Sequence, residues 1–86
     1  MARIIDGEVC NLIGEKVRDL RRARRMSQQQ LSNRLELLGV YVCRGSVSRI
    51  EDRSRTVTDI EAFALAKVLG VPLSELFDES KQNENG

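Results

Sequence analysis

The chain has 86 residues, 41% hydrophobic and 31% charged, which suits one small globular domain and excludes a disordered chain. Aromatic residues make up only 3%, against the several exposed rings that a single-strand stacking platform needs. The net charge of +1 conceals a division: 11 basic and 5 acidic residues lie between Gly14 and Arg55, then 2 basic and 6 acidic to the end, so a polyanion would meet the first half of the chain.

Residues 1–7 read as a flexible leader, 8–77 as the domain and 78–86 as a polar, disordered tail. A first helix is expected from about Glu8 to Arg24, with Val9, Leu12, Ile13, Val17 and Leu20 as its apolar stripe. Arg21, Arg22, Arg24 and Arg25 crowd its C-terminal end, where cations complement the helix dipole. Ser27 with Gln30 has the capping-box spacing and opens a second helix, whose stripe is Leu31, Leu35 and Leu38. Gly39 begins a turn. Val40, Tyr41 and Val42 find no partner strand and are expected to lay their apolar side chains over the core. Cys43 then stands at the cap of a third helix, from about Arg44 to Glu51. A thiol caps weakly, and a helix N-terminus lowers its pKa; a small residue tolerated at a cap is the plainer reading.

Val47 and Ile50 form the apolar back of the third helix, and Arg44, Ser46, Ser48 and Arg49 its polar front. Such a front suits a groove lined with hydrogen-bonding edges. Asp52 to Arg55 is a polar loop. Thr58 with Glu61 makes a second capping box, and Ile60, Phe63, Ala64, Ala66, Val68 and Leu69 are the expected buried face of a fourth helix. Gly70 stops it, and Pro72 leads into a short fifth helix, Leu73 to Phe77.

The order of MSQQQLS, GSVSRIE and VTDIEAFALAKVLGV, from Ile13 to Phe77, resembles the phage-repressor-type (Xre-like) helix-turn-helix family. The resemblance implies an all-α, five-helix lambda-repressor-like DNA-binding domain. One departure is the turn between helices 2 and 3, Glu36 to Cys43, about five residues longer than the compact form. It also implies a sequence-specific regulator of transcription, a repressor, with helix 3 in the major groove of double-stranded DNA.

Arg44, Gly45, Ser46, Ser48 and Arg49 are then the base-reading candidates. An arginine can bond both O6 and N7 of guanine, and glycine lets the helix approach closely. Gln28, Arg25, Arg53 and Arg55 are the phosphate candidates; for Gln28 the resemblance implies a phosphate contact, helped by the helix N-terminus. Arg21 and Glu51 match a pair that in this family joins the first helix to the end of the recognition helix. Val71, Leu73, Leu76 and Phe77 are the candidates for a homodimer surface, core closure being the alternative.

The competing reading is an antitoxin or another protein-interaction module on the same fold. An enzyme is not expected: there is no His, no partnered cysteine and no glycine-rich phosphate loop. Cys10 and Cys43 form no CxxC pair, so no metal site and no cofactor are expected. No signal peptide or membrane-spanning run is present, which makes a reducing cytoplasm the expected compartment.

Overall fold

The computed structural model describes residues 9–77; the expected leader at 1–7 and polar tail at 78–86 lie outside them. The described residues form α1 (Gly14–Ala23), α2 (Gln28–Leu37), α3 (Arg44–Glu51), α4 (Asp59–Leu69) and α5 (Leu73–Leu76), with no strand among them. α3 packs on α1 and α2, while α4 packs on α1, α2 and α5. The core between them includes Ile13, Val17, Leu31, Leu35, Val47, Ile50, Leu65 and Leu69.

The helix starts follow from their caps. Ser27 Oγ accepts from the Gln30 N–H at 3.0 Å, and Gln30 Oε1 accepts from the Ser27 N–H at 2.8 Å. Thr58 and Glu61 repeat the arrangement at 3.1 and 3.0 Å. Each box satisfies backbone donors that a helix start leaves open. α1 starts at Gly14 rather than near Glu8. The cause is Asn11, whose Oδ1 accepts from the N–H groups of Ile13 and Gly14 at 3.1 and 2.8 Å. That local bond competes with helix further upstream. The Asn11 amide also donates to the carbonyls of Ile50 and Arg55, at 3.1 and 2.9 Å, and ties this segment to the end of α3.

The first four helices end with one kind of closure. After α2, the Gly39 N–H bonds the Glu36 carbonyl at 2.9 Å and the Val40 N–H bonds the Leu35 carbonyl at 3.0 Å, around a left-handed Gly39 with φ 83°. α4 ends the same way around Gly70, φ 73°. α1 and α3 end with the same pair of bonds, but their left-handed residues are Arg25 (φ 55°) and Arg53 (φ 67°). A side chain there costs about 1–2 kcal/mol relative to relaxed backbone.

Several expectations are corrected. The second helix runs on to Leu37, so the connection to α3 is residues 38–43. Against the usual three or four residues, the excess is about half of that expected. Leu38 is 53% exposed, not part of the core stripe. Of the connector's apolar residues, Val42 is buried and Val40 half-buried, but Tyr41 is exposed. On α4, Ile60 and Phe63 are exposed, and Ala62 and Leu65 take the inward places. α4 is apolar on both faces, so its pattern did not single out one. Leu76 is 1% exposed and closes the core. It is therefore no part of a dimer surface in this fold.

Candidate nucleic-acid interface

α3 has eight residues, and its two faces divide cleanly. Val47 and Ile50 are each 1% exposed, a burial that contributes roughly 1.5–3 kcal/mol apiece. Arg44, Gly45 and Arg49 are exposed, and Ser46 and Ser48 are half-buried beside them. Arg49 Nη2 donates to Ser46 Oγ at 3.4 Å, one turn away. Beyond its chain neighbours and its own helix backbone, a Cβ at Gly45 would meet only Arg49 Nη1, at 4.0 Å, among the described residues, so the backbone there is open to a close approach.

The helix is fixed from behind by a buried ion pair. Arg21 Nε and Nη2 donate to the two carboxylate oxygens of Glu51, at 2.6 and 3.0 Å. Arg21 Nη1 also donates to the Met26 carbonyl at 2.7 Å, and Gln28 Nε2 donates to Glu51 Oε1 at 3.1 Å. Arg21 and Glu51 are 8% and 3% exposed. The hydrogen bond to Glu51 raises the Arg21 pKa, against the effect of burial. One carboxylate thus joins α1, the start of α2 and the end of α3. The sequence placed Arg21 with Glu51, but not Gln28 as their third member. The family resemblance and the helix-terminal place of Gln28 point to phosphate and carry no sign of its inward neighbour Glu51.

Cys43 caps α3 in position only, since its side chain accepts no capping bond. Its exposed thiol lies 3.5 Å from Ser46 Oγ. The Ser46 hydroxyl, and more weakly the Arg49 charge, lower the thiol's pKa.

The remaining arginines differ in how far they are engaged. Arg25 is exposed, and its side chain makes no hydrogen bond among the described residues. Arg53 is half-buried: Nε donates to the Asn11 carbonyl at 3.2 Å and Nη1 to Glu15 Oε2 at 3.2 Å. Arg55 is held by both oxygens of Glu61, at 3.3 and 3.2 Å. Gly14 was not singled out by the sequence, yet α1 and α3 meet there. A Cβ at Gly14 would fall on the Ile50 carbonyl oxygen and 2.8 Å from Arg53 Cγ. A glycine at a helix start offers no sequence signal of such an approach.

The helices joined by this buried ion pair form a small all-helical domain with the exposed Arg44 and Arg49 on the outer face of α3. A helix-turn-helix family model matches residues 17–76. The chain belongs to that family, in its phage-repressor-type (Xre-like) branch, and is a DNA-binding helix-turn-helix regulator. No curated protein and no solved structure matches the chain significantly. No helix of the described residues is long and apolar enough to cross a membrane.

Proposed function

We propose that this regulator is a sequence-specific repressor that reads the major groove of double-stranded DNA with α3. The observation that carries the reading is the division of α3: Arg44, Gly45 and Arg49 face outward, while Arg21 and Glu51 fix the helix from the buried side. A side chain that reads bases must be free, and the helix presenting it must be held in one orientation. In this reading Arg44 is the principal base reader, with Arg49, Ser46 and Ser48 beside it. Repression needs only that the domain occupy an operator overlapping a promoter.

Phosphate contacts are assigned to Gln28, Arg25, Arg53 and Arg55. Arg25 and Arg53 hold left-handed backbone where glycine would cost least, and an arginine kept at such a place supports a role for its side chain. Arg53 and Arg55 are engaged with Glu15 and Glu61 and would share their guanidinium groups with phosphate or exchange partners.

A single helix covers too few base pairs to select one site in a genome, so we assign a symmetric homodimer on a pseudo-palindromic operator. Leu73 and Phe77 are 43% and 47% exposed, and Val71 is half-buried. Phe63, 55% exposed, borders the same shallow groove as Val71 and Leu73 and extends that apolar surface, while Phe77 borders a separate groove with Val57 and Ala62.

The test is titration of a duplex selected from random DNA, beside a scrambled duplex, at several salt concentrations. Arg44→Ala is expected to lose about 1–3 kcal/mol of preference for the selected duplex. Arg25→Ala should weaken both duplexes alike and reduce the salt slope by about one unit. Equal weakening of both duplexes by Arg44→Ala would remove it as the base reader.

A further inference from the structure

We infer that Tyr41, on the connector between α2 and α3, is an additional phosphate contact whose phenol hydroxyl donates to the DNA backbone beside the groove that α3 enters. The inference rests on the reading of α3 as the recognition helix.

The connector turns away from α2 at the left-handed Gly39 and runs into Cys43, the residue that caps α3. Along it the side chains alternate. Val40 is half-buried, Tyr41 is 78% exposed and Val42 is 4% exposed. The two valines anchor the segment on the core and leave the ring outside. An unconstrained tyrosine would cover its ring against apolar neighbours and keep only the hydroxyl wet. Here the inward places belong to valine, and the hydroxyl makes no hydrogen bond among the described residues.

Tyr41 borders a groove with Cys43 and Ser46, from the start of α3, and with Gln29 and Asn33 from the outer face of α2. The ring thus stands three residues before Arg44, at the end of α3 that carries the exposed Arg44 and Gly45. Among its neighbours in the groove, Gln29 already donates to Asn33 Oδ1 at 2.9 Å. Glu36 lines the groove as well and repels an anion from its interior. Tyr41 is 78% exposed although it borders this groove, so a phosphate can meet its phenol from outside.

Residues 38–43 carry no charged side chain. A connector longer than the compact turn therefore brings apolar chain towards the DNA and offers no cation of its own. Tyr41 supplies the longest donor-bearing side chain in it, and tyrosine hydroxyls are regular partners of phosphate oxygens. The contact fixes position on the duplex and reads no base.

The experiment compares the native chain with Tyr41→Phe and with Arg44→Ala, on the selected and scrambled duplexes, across a salt series. Tyr41→Phe keeps the ring and removes only the hydroxyl. Its melting temperature should equal that of the native chain, because the group is exposed. Affinity for both duplexes should fall by the same factor, about 10- to 100-fold for a hydrogen bond to a charged group. The salt slope should stay unchanged, since a neutral donor releases no counterion. Ethylation interference should then show one phosphate whose modification weakens the native chain and leaves Tyr41→Phe unaffected. Native affinity in Tyr41→Phe overturns the contact, and so does a loss confined to the selected duplex, which would make Tyr41 a base reader. Arg44→Ala reports separately: if it spares the preference for the selected duplex, the reading of α3 falls, whatever Tyr41→Phe does.

Discussion

Gly14 is where the backbone of α1 comes against the end of α3. Its missing Cβ leaves room for the Ile50 carbonyl, and Arg53 crosses beside it. Alanine there gains about 1 kcal/mol of helix propensity. It would also push a carbonyl that accepts from Asn11 at 3.1 Å. Overpacking of this kind costs about 1–3 kcal/mol. Gly14→Ala is therefore expected to lower the melting temperature against its propensity, as thermal denaturation can show. A rise would mean that the two helices can part without loss. Arg53 has a second task at the same place, because its carbonyl accepts from the Cys10 N–H at 3.0 Å and its side chain binds Asn11 and Glu15. Arg25 has none of these engagements, which makes it the cleaner probe of a phosphate contact.

Among the helices, the decisive joint is the one made by Arg21 and Glu51. Removing one partner leaves the other charge buried, so each single alanine variant should be strongly destabilised. The double variant should be less unstable than the singles combined. A double-mutant cycle on thermal stability should give a coupling of about 0.5–3 kcal/mol. Strict additivity would show that the pair contributes nothing jointly. The second capping box yields a test by pH. Burial pushes the Glu61 carboxyl up, but the Thr58 N–H and the Arg55 guanidinium outweigh it and hold the group below its ordinary value. A depressed folded pKa contributes stability above the unfolded pKa, about 4.3, and loses it as pH falls through the folded value. Glu61→Gln keeps a cap acceptor but not the charge. The gap in melting temperature between native and variant should be full at neutral pH and close at acid pH. A gap that persists unchanged in acid would show that the charge is not its source.

These elements also show what the sequence could disclose. Capping boxes, a leucine stripe and the glycines after α2 and α4 are local signals, and helix order and type follow from them. The start of α1 departs from the apolar stripe because Asn11 acts through carbonyls about forty residues away. The inward face of α4 was misread because Ile60 and Phe63 are more apolar than the Ala62 that is buried instead. Burial there is decided by which face meets α1 and α2, and that depends on the whole fold. Of the candidate interface, the basic front of α3 was legible from period alone. The ion pairs of Arg53 and Arg55, and Gln28's bond to Glu51, arise between distant segments.

For the molecule as a whole, the proposed reading requires two copies of α3 on one operator. With Leu76 in the core, the candidate contact shifts to Leu73, Phe77 and the exposed ring of Phe63. The expected stoichiometry is two chains per selected duplex, measured by native mass or sedimentation. The selected sequence should show half-sites separated by about one DNA turn. One chain on a site without two-fold symmetry would refute the dimer. Leu73→Glu should reduce cooperative binding and leave helical content intact. Leu76→Glu should unfold the domain, because it places a charge where the residue is 1% exposed.

The division of α3 has a consequence for how such a chain changes over generations. Arg44, Gly45 and Arg49 contribute none of the buried core, whereas Val47, Ile50 and Glu51 supply the whole inner face of the helix. With α3 reading the operator as proposed, mutation at the three outer positions would be filtered mainly by which operator is recognised, and mutation at the three inner ones by whether the chain folds. On that reading, a duplicated copy would drift to a new operator through the outer codons without first losing its thermal tolerance. The same independence allows an engineer to transplant a foreign recognition sequence onto this frame at those three codons.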